Sequence, residues 1–304
     1  MVKFRGVEVS EAEACVLKEL ESGQEWQFVH LKKHSTGVYP PEFITRNDHV
    51  SGLKCHTIKL GSLPESFGEL RWLRKLKLYG CHLTELPESI GNLILLKELE
   101  LGSNNLKSLP ESIGNLQFLK HLSISKNRLE MLPESIGNLK NLGYLDLYQN
   151  ALKALPESIG NLTQLFSLTI ASNEITELPE SIGNLKNIWY FSLARNQLTH
   201  LPESIGQLES LAELYAEQNK LKTIPESIGN LKKLVWLYIY SNKIKKLPFS
   251  IGELTSLERF NASHNKLKSV PETILKLRKL EELSIHGNNF DHMSFIRKFL
   301  NRNS

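Results

Sequence analysis

Residues 142–162 read L-G-Y-L-D-L-Y-Q-N-A-L-K-A-L-P-E-S-I-G-N-L, and this stretch decides the fold. Its proline belongs to a series spaced 23 residues apart, without insertion or deletion, at positions 64, 87, 110, 133, 156, 179, 202, 225, 248 and 271. A fixed period of this length indicates one structural unit repeated along most of the chain. Because such units pack mainly against their neighbours, the sequence predicts a solenoid whose function lies on a surface and not in a cleft.

Each repeat contains a short strand followed by a helical turn. In the strand at residues 97–101, K-E-L-E-L, alternation directs the leucines inward and the intervening residues outward. One repeat cannot bury its own leucines, so the repeats must stack. The P-E-S-I-G segment predicts a short turn on the opposite side, with proline at its first position, glutamate beside its own positive end and glycine at its exit.

An asparagine follows most of the predicted strands. Its side-chain amide carries donors and an acceptor, which suits the unpaired backbone groups of a chain that turns inward. Stacked copies are therefore predicted to form a ladder that bonds backbone groups within and between repeats. Cys81 occupies this position in the first full repeat, and the asparagines stand at 104, 127, 150, 173, 196, 219, 242, 265 and 288.

The repeated L-P-E-S-I-G-N-L segment resembles the intracellular leucine-rich repeats (LRRs) of plant Ras-group-related LRR proteins, Ras-pathway scaffolds and prokaryotic LRR arrays. This resemblance implies an α/β solenoid, a horseshoe with a concave parallel sheet and short helical turns on its convex side. It also implies a role in protein binding, with a small GTPase or another signalling protein as the partner. The contact residues are not part of the shared motif, so the resemblance does not identify them.

The repeats divide the chain into three parts. Residues 1–49 lack the repeat and are predicted to form an N-terminal cap with one helix, because Ser10 and Glu13 have the spacing of a capping box. Residues 50–290 form the array of about ten to eleven repeats, of which the first is degenerate. Residues 291–304 are predicted to form a C-terminal cap helix, since their apolar residues have helical spacing.

Composition favours an intracellular protein. The N-terminus does not resemble a secretory signal, no transmembrane run occurs, and the three cysteines lack the clustering of disulfide-bonded caps. We therefore expect a cytoplasmic location and no membrane contact. The 37 basic and 33 acidic residues are interspersed, which argues against nucleic acid as a partner. The oligomeric state cannot be read from the sequence.

The sequence contains none of the spacings that mark common catalytic centres. It has no phosphate-binding loop, no H-E-x-x-H, no C-x-x-C and no G-x-S-x-G. We therefore predict a protein that is not an enzyme and that uses neither a cofactor nor a metal.

The strand-face positions vary between repeats, whereas the P-E-S-I-G side hardly does. Seven of the eight tyrosines fall on the predicted strand face, and most lie together with Trp236 in the later repeats. Aromatic side chains within a charged rim are typical of protein-binding surfaces. The predicted partner-binding residues are Tyr144, Tyr148, Tyr190, Arg195, Tyr215, Glu217, Trp236, Tyr238, Tyr240 and Arg259.

Three alternatives remain for these aromatic residues. Tyrosine favours strands whatever their function, and cross-strand aromatic pairs stabilise sheets. Aromatic rings also stack on sugars, so recognition of a carbohydrate or another small ligand is the second functional hypothesis. Exposed aromatic patches mark self-association as well as partner binding. The first hypothesis remains a non-catalytic interaction scaffold that binds a protein on the concave face.

Overall fold

A computed structural model of the protein describes residues 1–31 and 41–290. The chain forms two compact units, Met1–Ala151 and Leu152–Ser304. Each unit is a stack of repeats, as the 23-residue period predicts. The predicted cap helix over 291–304 lies outside the described residues.

The first unit combines an N-terminal segment with the opening repeats. A hairpin, β1 and β2, precedes helix α1, and strands β3 to β9 form a sheet in chain order, parallel except for the antiparallel pair β4 and β5. The bounds are β1 Val2–Phe4, β2 Val7–Val9, α1 Glu11–Glu21, β3 Val29–His30, β4 Glu42–Arg46, β5 His49–His56, β6 Lys75–Tyr79, β7 Glu98–Glu100, β8 His121–Ser123 and β9 Tyr144–Asp146.

The predicted capping box begins helix α1. The Glu13 backbone N–H donates to the Ser10 hydroxyl, and the Ser10 N–H donates to the Glu13 carboxylate at 3.0 Å. The same buried carboxylate accepts the N–H of Val50 at 3.0 Å, so it also fixes the helix against β5. The N-terminal segment thus contributes strands β1 to β4 as well as the predicted helix.

The second unit contains only repeats among its described residues. Its strands pair in parallel, each in register with the next. Their bounds are β10 Ser167–Thr169, β11 Tyr190–Ser192, β12 Glu213–Tyr215, β13 Trp236–Tyr238, β14 Arg259–Asn261 and β15 Glu282–Ser284. In both units the inward leucines and isoleucines of strand and turn form the core and are almost fully buried.

The helical turns are single turns of 3₁₀ helix, one in each repeat. In the first unit they span Glu65–Glu69, Glu88–Asn92, Glu111–Asn115 and Glu134–Asn138. In the second unit they span Glu157–Asn161, Glu180–Asn184, Glu203–Gln207, Glu226–Asn230, Phe249–Glu253 and Glu272–Lys276. The proline precedes each turn in an extended conformation, so its predicted place at the first helical position is wrong by one residue.

The glycine of P-E-S-I-G does not form the exit of the turn, contrary to the prediction. It is buried inside the 3₁₀ turn, where the turn of the next repeat leaves no room for a side chain. A Cβ atom added to Gly114 would lie 2.6 Å from the Ser135 carbonyl oxygen and 2.7 Å from the Ser135 Cβ. Leu275 replaces this glycine in the last turn that the structure describes. The glycine is therefore required by close packing between turns.

The glutamate of P-E-S-I-G interacts with the next repeat and not, as predicted, mainly with its own turn. The Glu111 carboxylate accepts the backbone N–H of Ser135 at 3.2 Å, and Glu226 accepts that of Ser250 at 3.2 Å. The other glutamates that make this contact are Glu65, Glu88, Glu180 and Glu203. Each of these glutamates thus links two successive turns.

The asparagine ladder is confirmed. The side-chain oxygen of the ladder asparagine accepts a backbone N–H from the preceding repeat. Its amide nitrogen donates to one carbonyl of the preceding repeat and to one of its own repeat, as Asn219 and Asn242 show. Asn242 accepts from Leu221 at 3.0 Å and donates to Ala216 and Ile239, each at 3.0 Å. Cys81 replaces this asparagine with a thiol that lies 3.5 Å from the Cys55 carbonyl oxygen.

None of the helices found in residues 1–31 and 41–290 has the length and apolar character needed to cross a membrane.

Candidate protein-binding surface

Three tyrosines of the second unit form a continuous row on the strand face. Tyr215 of β12 pairs in register with Tyr238 of β13, and Tyr190 of β11 lies diagonally from Tyr215. Their ring centroids are 5.4 Å apart between Tyr190 and Tyr215, and 5.3 Å apart between Tyr215 and Tyr238. These tilted contacts are within the range at which aromatic rings attract one another. The three half-buried rings therefore present one aromatic surface.

Small neighbouring side chains hold Tyr190 close to the sheet. Its phenol interacts with Ser192 and Thr169, and Ser192 is itself buried although its position faces outward. Burial raises the pKa of Tyr190, and the nearby carboxylates of Glu213 and Glu217 raise it further. Tyr190 thus remains a neutral hydrogen-bonding group at physiological pH.

Trp236 lies beside this row, and the guanidinium group of Arg259 packs on its ring. The guanidinium carbon of Arg259 lies 5.1 Å from the Trp236 ring centroid, within the range of a cation–π interaction. The Arg259 Nε is also 3.6 Å from a carboxylate oxygen of Glu282. These two contacts fix the arginine at the border of the aromatic row.

One oxygen of the Glu217 carboxylate, within the aromatic region, has no hydrogen-bond donor among the described residues. The Oε2 atom of Glu217 is inaccessible to solvent and has no hydrogen-bond partner among the described residues. Burial raises the pKa of Glu217, and this effect outweighs both the hydrogen bond from its own backbone N–H and the attraction of Arg195, which lower it. Arg195 instead donates from Nε to the side-chain oxygen of Gln218 at 2.6 Å. Glu217 is thus a buried acceptor whose burial disfavours the charged form.

A depression of about 360 Å³ lies on the strand face of the second unit beside Glu217. Tyr215, Tyr238 and Tyr240 supply its aromatic wall, while Glu217 and Arg259 supply charged groups. The Tyr215 hydroxyl donates to Glu213 at 2.8 Å. Burial and this hydrogen bond both raise the pKa of Tyr215. We call the whole set the aromatic surface: Tyr190, Arg195, Tyr215, Glu217, Trp236, Tyr238, Tyr240 and Arg259.

The two remaining predicted residues belong to the first unit. Tyr144 of β9 stacks on His121 with the rings nearly parallel and their centroids 4.2 Å apart. The Tyr148 N–H donates to Asp146 at 3.0 Å. Both tyrosines are half-buried on the strand face of their unit. Their participation in one binding site with the aromatic surface stays a prediction.

Sequence reasoning missed two aromatic residues at the border of the aromatic surface. Trp189 and Phe166 are 44% and 45% exposed, and each immediately precedes a strand residue. Trp189 packs edge to face on Tyr190 with ring centroids 5.8 Å apart. Its backbone N–H donates to Phe166 at 3.0 Å, so the two lie on neighbouring repeats. The available signal was a large aromatic residue at a position that holds a charged or small residue in most of the other repeats.

Comparisons with known proteins agree with this architecture. A family model described as a leucine-rich repeat region matches residues 49–142, 113–189, 134–216 and 180–301. The comparison with curated proteins gave no match.

Solved structures similar to this chain include receptors and a bacterial internalin. A TDR receptor is 31% identical with a TM-score of 0.70, and the match covers 82% of this chain and 44% of the receptor. The Arabidopsis receptor kinase HAESA, solved with the peptide hormone IDA and the co-receptor SERK1, is 27% identical with a TM-score of 0.63, covering 81% of this chain and 48% of HAESA. Internalin inlF from Listeria monocytogenes is 24% identical with a TM-score of 0.61, covering 78% of this chain and 74% of the internalin, and shows the fold alone.

This chain therefore spans less than half of either receptor. The family model, in contrast, matches the chain from residue 49 to residue 301. Together with the stacked strands, 3₁₀ turns and asparagine ladder, this match shows that the protein belongs to the leucine-rich repeat family.

Proposed function

We propose that this protein is a non-catalytic scaffold or adaptor that binds a protein partner through the aromatic surface. The observation that carries the proposal is the unbroken contact from Trp189 through Tyr190 and Tyr215 to Tyr238. Leucine-rich repeats generally mediate protein–protein interaction, and the similar receptor HAESA was solved with a peptide hormone. Aromatic side chains dominate the binding energy of many interfaces.

Glu217 indicates the chemistry of the contact. A buried carboxylate oxygen without a donor costs free energy, and a partner's lysine, arginine or amide group would supply that donor. The surrounding tyrosine rings would stabilise a cation by their negative faces. We therefore expect the partner to insert a basic side chain beside Tyr215 and Tyr240.

The resemblance to Ras-group-related LRR proteins makes a small GTPase, or another signalling protein, the first candidate partner. Such a partner requires a cytoplasmic location, which remains part of the proposal. Tyr144 and Tyr148 of the first unit are further candidate contact residues. Their substitution tests their role separately from that of the aromatic surface.

Affinity capture from a lysate of the source organism, followed by titration of the purified partner, tests the proposal. The test variant is Trp236→Ala with Tyr238→Ala, and the control is Tyr79→Ala, a strand-face tyrosine of the first unit that stacks on His56. The test variant should weaken binding by more than ~2 kcal/mol, about 30-fold, with thermal unfolding nearly unchanged. The control should bind like the wild type. A captured partner that binds the test variant equally well would refute the site.

The depression favours one alternative, recognition of a carbohydrate or another small ligand. Its walls combine tyrosine rings with the polar groups of Asn261, Glu282 and Ser284. Rings that stack on a sugar, with polar groups that orient its hydroxyls, are typical of such sites. A glycan array with wild type and the Tyr238→Ala variant tests this alternative. It would replace protein binding only if a glycan bound the wild type and lost affinity for the variant while no protein was captured.

A further inference from the structure

A second exposed surface lies in the first unit, on the flank that leads from the 3₁₀ turns to the strands. Trp72, Leu95 and Phe118 occupy the same place in three successive repeats, and Ile94 lies beside Leu95. Trp72, Ile94 and Phe118 are 48%, 53% and 51% exposed. Single exposed apolar residues are common, whereas several at one place in adjacent repeats indicate a contact surface.

A row of basic residues runs directly beside these apolar side chains. Arg74, Lys97 and Lys120 stand two residues after Trp72, Leu95 and Phe118 respectively. The Lys97 N–H donates to the Arg74 carbonyl at 2.8 Å, and the Lys120 N–H donates to the Lys97 carbonyl at 2.9 Å. The three residues are therefore direct neighbours, separated by the strand spacing of about 4.8 Å.

These three cations make no ion pair with any residue in the described part of the chain. The lysines of the neighbouring strand face differ in this respect, because they do form ion pairs. There Lys75 and Lys77 both contact Glu98, at 2.8 and 2.6 Å. The strand face thus balances its charge within the chain, whereas the flank presents like charges in a row.

The exposed apolar side chains of the flank also line a depression. A depression of about 610 Å³ is lined by Trp72, Ile94 and Leu95, with Arg71 and two asparagines at its border. The Trp72 ring stacks on His49 at a centroid distance of 4.7 Å with an angle of 17° between the planes. The tryptophan is therefore held in place without being covered. We call Trp72, Ile94, Leu95, Phe118, Arg74, Lys97 and Lys120 the flank surface.

We propose that the flank surface binds an acidic amphipathic helix of a partner protein. Two repeats advance by about 9.6 Å at the strand spacing, and seven helical residues advance by about 10.5 Å. One repeat likewise matches about one helical turn. A helix laid across the repeats can therefore bring a carboxylate to each of Arg74, Lys97 and Lys120. A parallel stripe of apolar side chains on the same helix would meet Trp72, Leu95 and Phe118.

A pair of synthetic peptides provides the test, because the natural partner is unidentified. One fluorescent helical peptide of about 18 residues, long enough to form a helix in water, carries glutamates beside a leucine stripe, and its twin replaces the glutamates with lysines. Anisotropy titration should show that wild-type protein binds the acidic peptide about tenfold or more tightly than the basic peptide. The preference should weaken as salt is added.

Two variants and one control localise the binding. Lys97→Glu with Lys120→Glu should weaken binding of the acidic peptide at least about tenfold, and Phe118→Ser should weaken it by a similar factor. Lys107→Glu with Lys126→Glu makes the same charge change at exposed lysines elsewhere in these repeats, and it should leave binding nearly unchanged. Circular dichroism confirms that each variant is folded.

The proposal is wrong if both peptides bind equally, if neither binds, or if the control pair weakens binding as much as the flank pair. Vesicles of anionic phospholipid and a fluorescent DNA duplex are tested in parallel with the same variants. Binding to either of these, without binding to the acidic peptide, would reassign the flank surface to a membrane or to nucleic acid. Self-association that the flank variants abolish, again without peptide binding, would reassign it to a second copy of the chain.

Discussion

Substitution of Asn219 by alanine tests the energetic role of the asparagine ladder. Asn219 is 8% exposed, and its side-chain oxygen accepts the Leu198 N–H at 3.0 Å. Its amide donates to the carbonyls of Leu193, Ala216 and Glu217 at 3.0, 3.2 and 3.2 Å. Alanine removes all four hydrogen bonds while leaving the backbone path unchanged.

The expected loss follows from which of these backbone groups keeps another partner. The Leu193 carbonyl still accepts from Asn196, and the Ala216 carbonyl still accepts from Asn242. The Glu217 carbonyl still accepts the Arg195 N–H. The Leu198 N–H has no such second acceptor among the described residues. One buried donor left unsatisfied costs about 1–3 kcal/mol, which is the loss that we expect in the free energy of unfolding.

Two measurements check this prediction. Urea denaturation followed by circular dichroism should give a lower midpoint for Asn219→Ala, and hydrogen exchange should show lost protection of the Leu198 amide. Lys220→Ala is the matched control, because this neighbouring lysine is exposed and its side chain bonds only that of Gln197, while its backbone N–H keeps its bond to the Leu198 carbonyl. The control should keep both the midpoint and the Leu198 protection. An unchanged midpoint and an unchanged exchange rate in Asn219→Ala would refute the energetic role of the ladder.

Two further predictions concern packing and charge. Gly114→Ala should lower the free energy of unfolding by about 1–3 kcal/mol, because its Cβ would meet the Ser135 backbone. Gly102→Ala should lower it less, because the atoms nearest to its Cβ belong to the Tyr79 ring, which can move. Burial raises the pKa of Glu98, but its two lysine partners outweigh burial and lower it to about 2. The stabilisation by Glu98 should therefore be present above about pH 4.3, the ordinary pKa of glutamate, and be lost as pH falls toward 2. Denaturation of wild type and Glu98→Gln across this range should show their difference shrinking toward acid pH; a constant difference would contradict the assignment.

The repeated part of the fold could be predicted because each repeat carries the same local instructions. Leucines at alternating positions require a strand with one buried side, and the asparagine after it supplies the polar groups that the turning backbone needs. The N-terminal strands β3 and β4 could not be predicted in this way. They lie outside the 23-residue period. The N-terminal segment is held instead by long-range contacts, such as the bond between Glu13 of α1 and Val50 of β5, which are 37 positions apart.

The roles of the glycine and the glutamate in P-E-S-I-G could not be predicted from the sequence either, because they depend on the distance between successive repeats. A glycine after isoleucine suggests a turn exit, and only the separation of successive turns shows that Gly114 is required for close packing. Likewise, a glutamate after proline suggests a cap for its own turn, although Glu111 bonds the next one. On the aromatic surface, the strand-face tyrosines followed from alternation, whereas the missing donor of Glu217 Oε2 depends on side-chain geometry.

The polar contacts between repeats have fixed sequence offsets, and this has a consequence for the history of the chain. Asparagine oxygens meet an N–H 21 residues earlier, their amides meet a carbonyl 26 residues earlier, and glutamates meet an N–H 24 residues later. A tandem duplication of any 23-residue segment therefore creates a unit whose donors and acceptors are already matched to its neighbours. Recombination between near-identical copies can lengthen or shorten each array in whole units. Strand-face residues such as Tyr215 can then diverge in each new copy without disturbing the contacts that hold it.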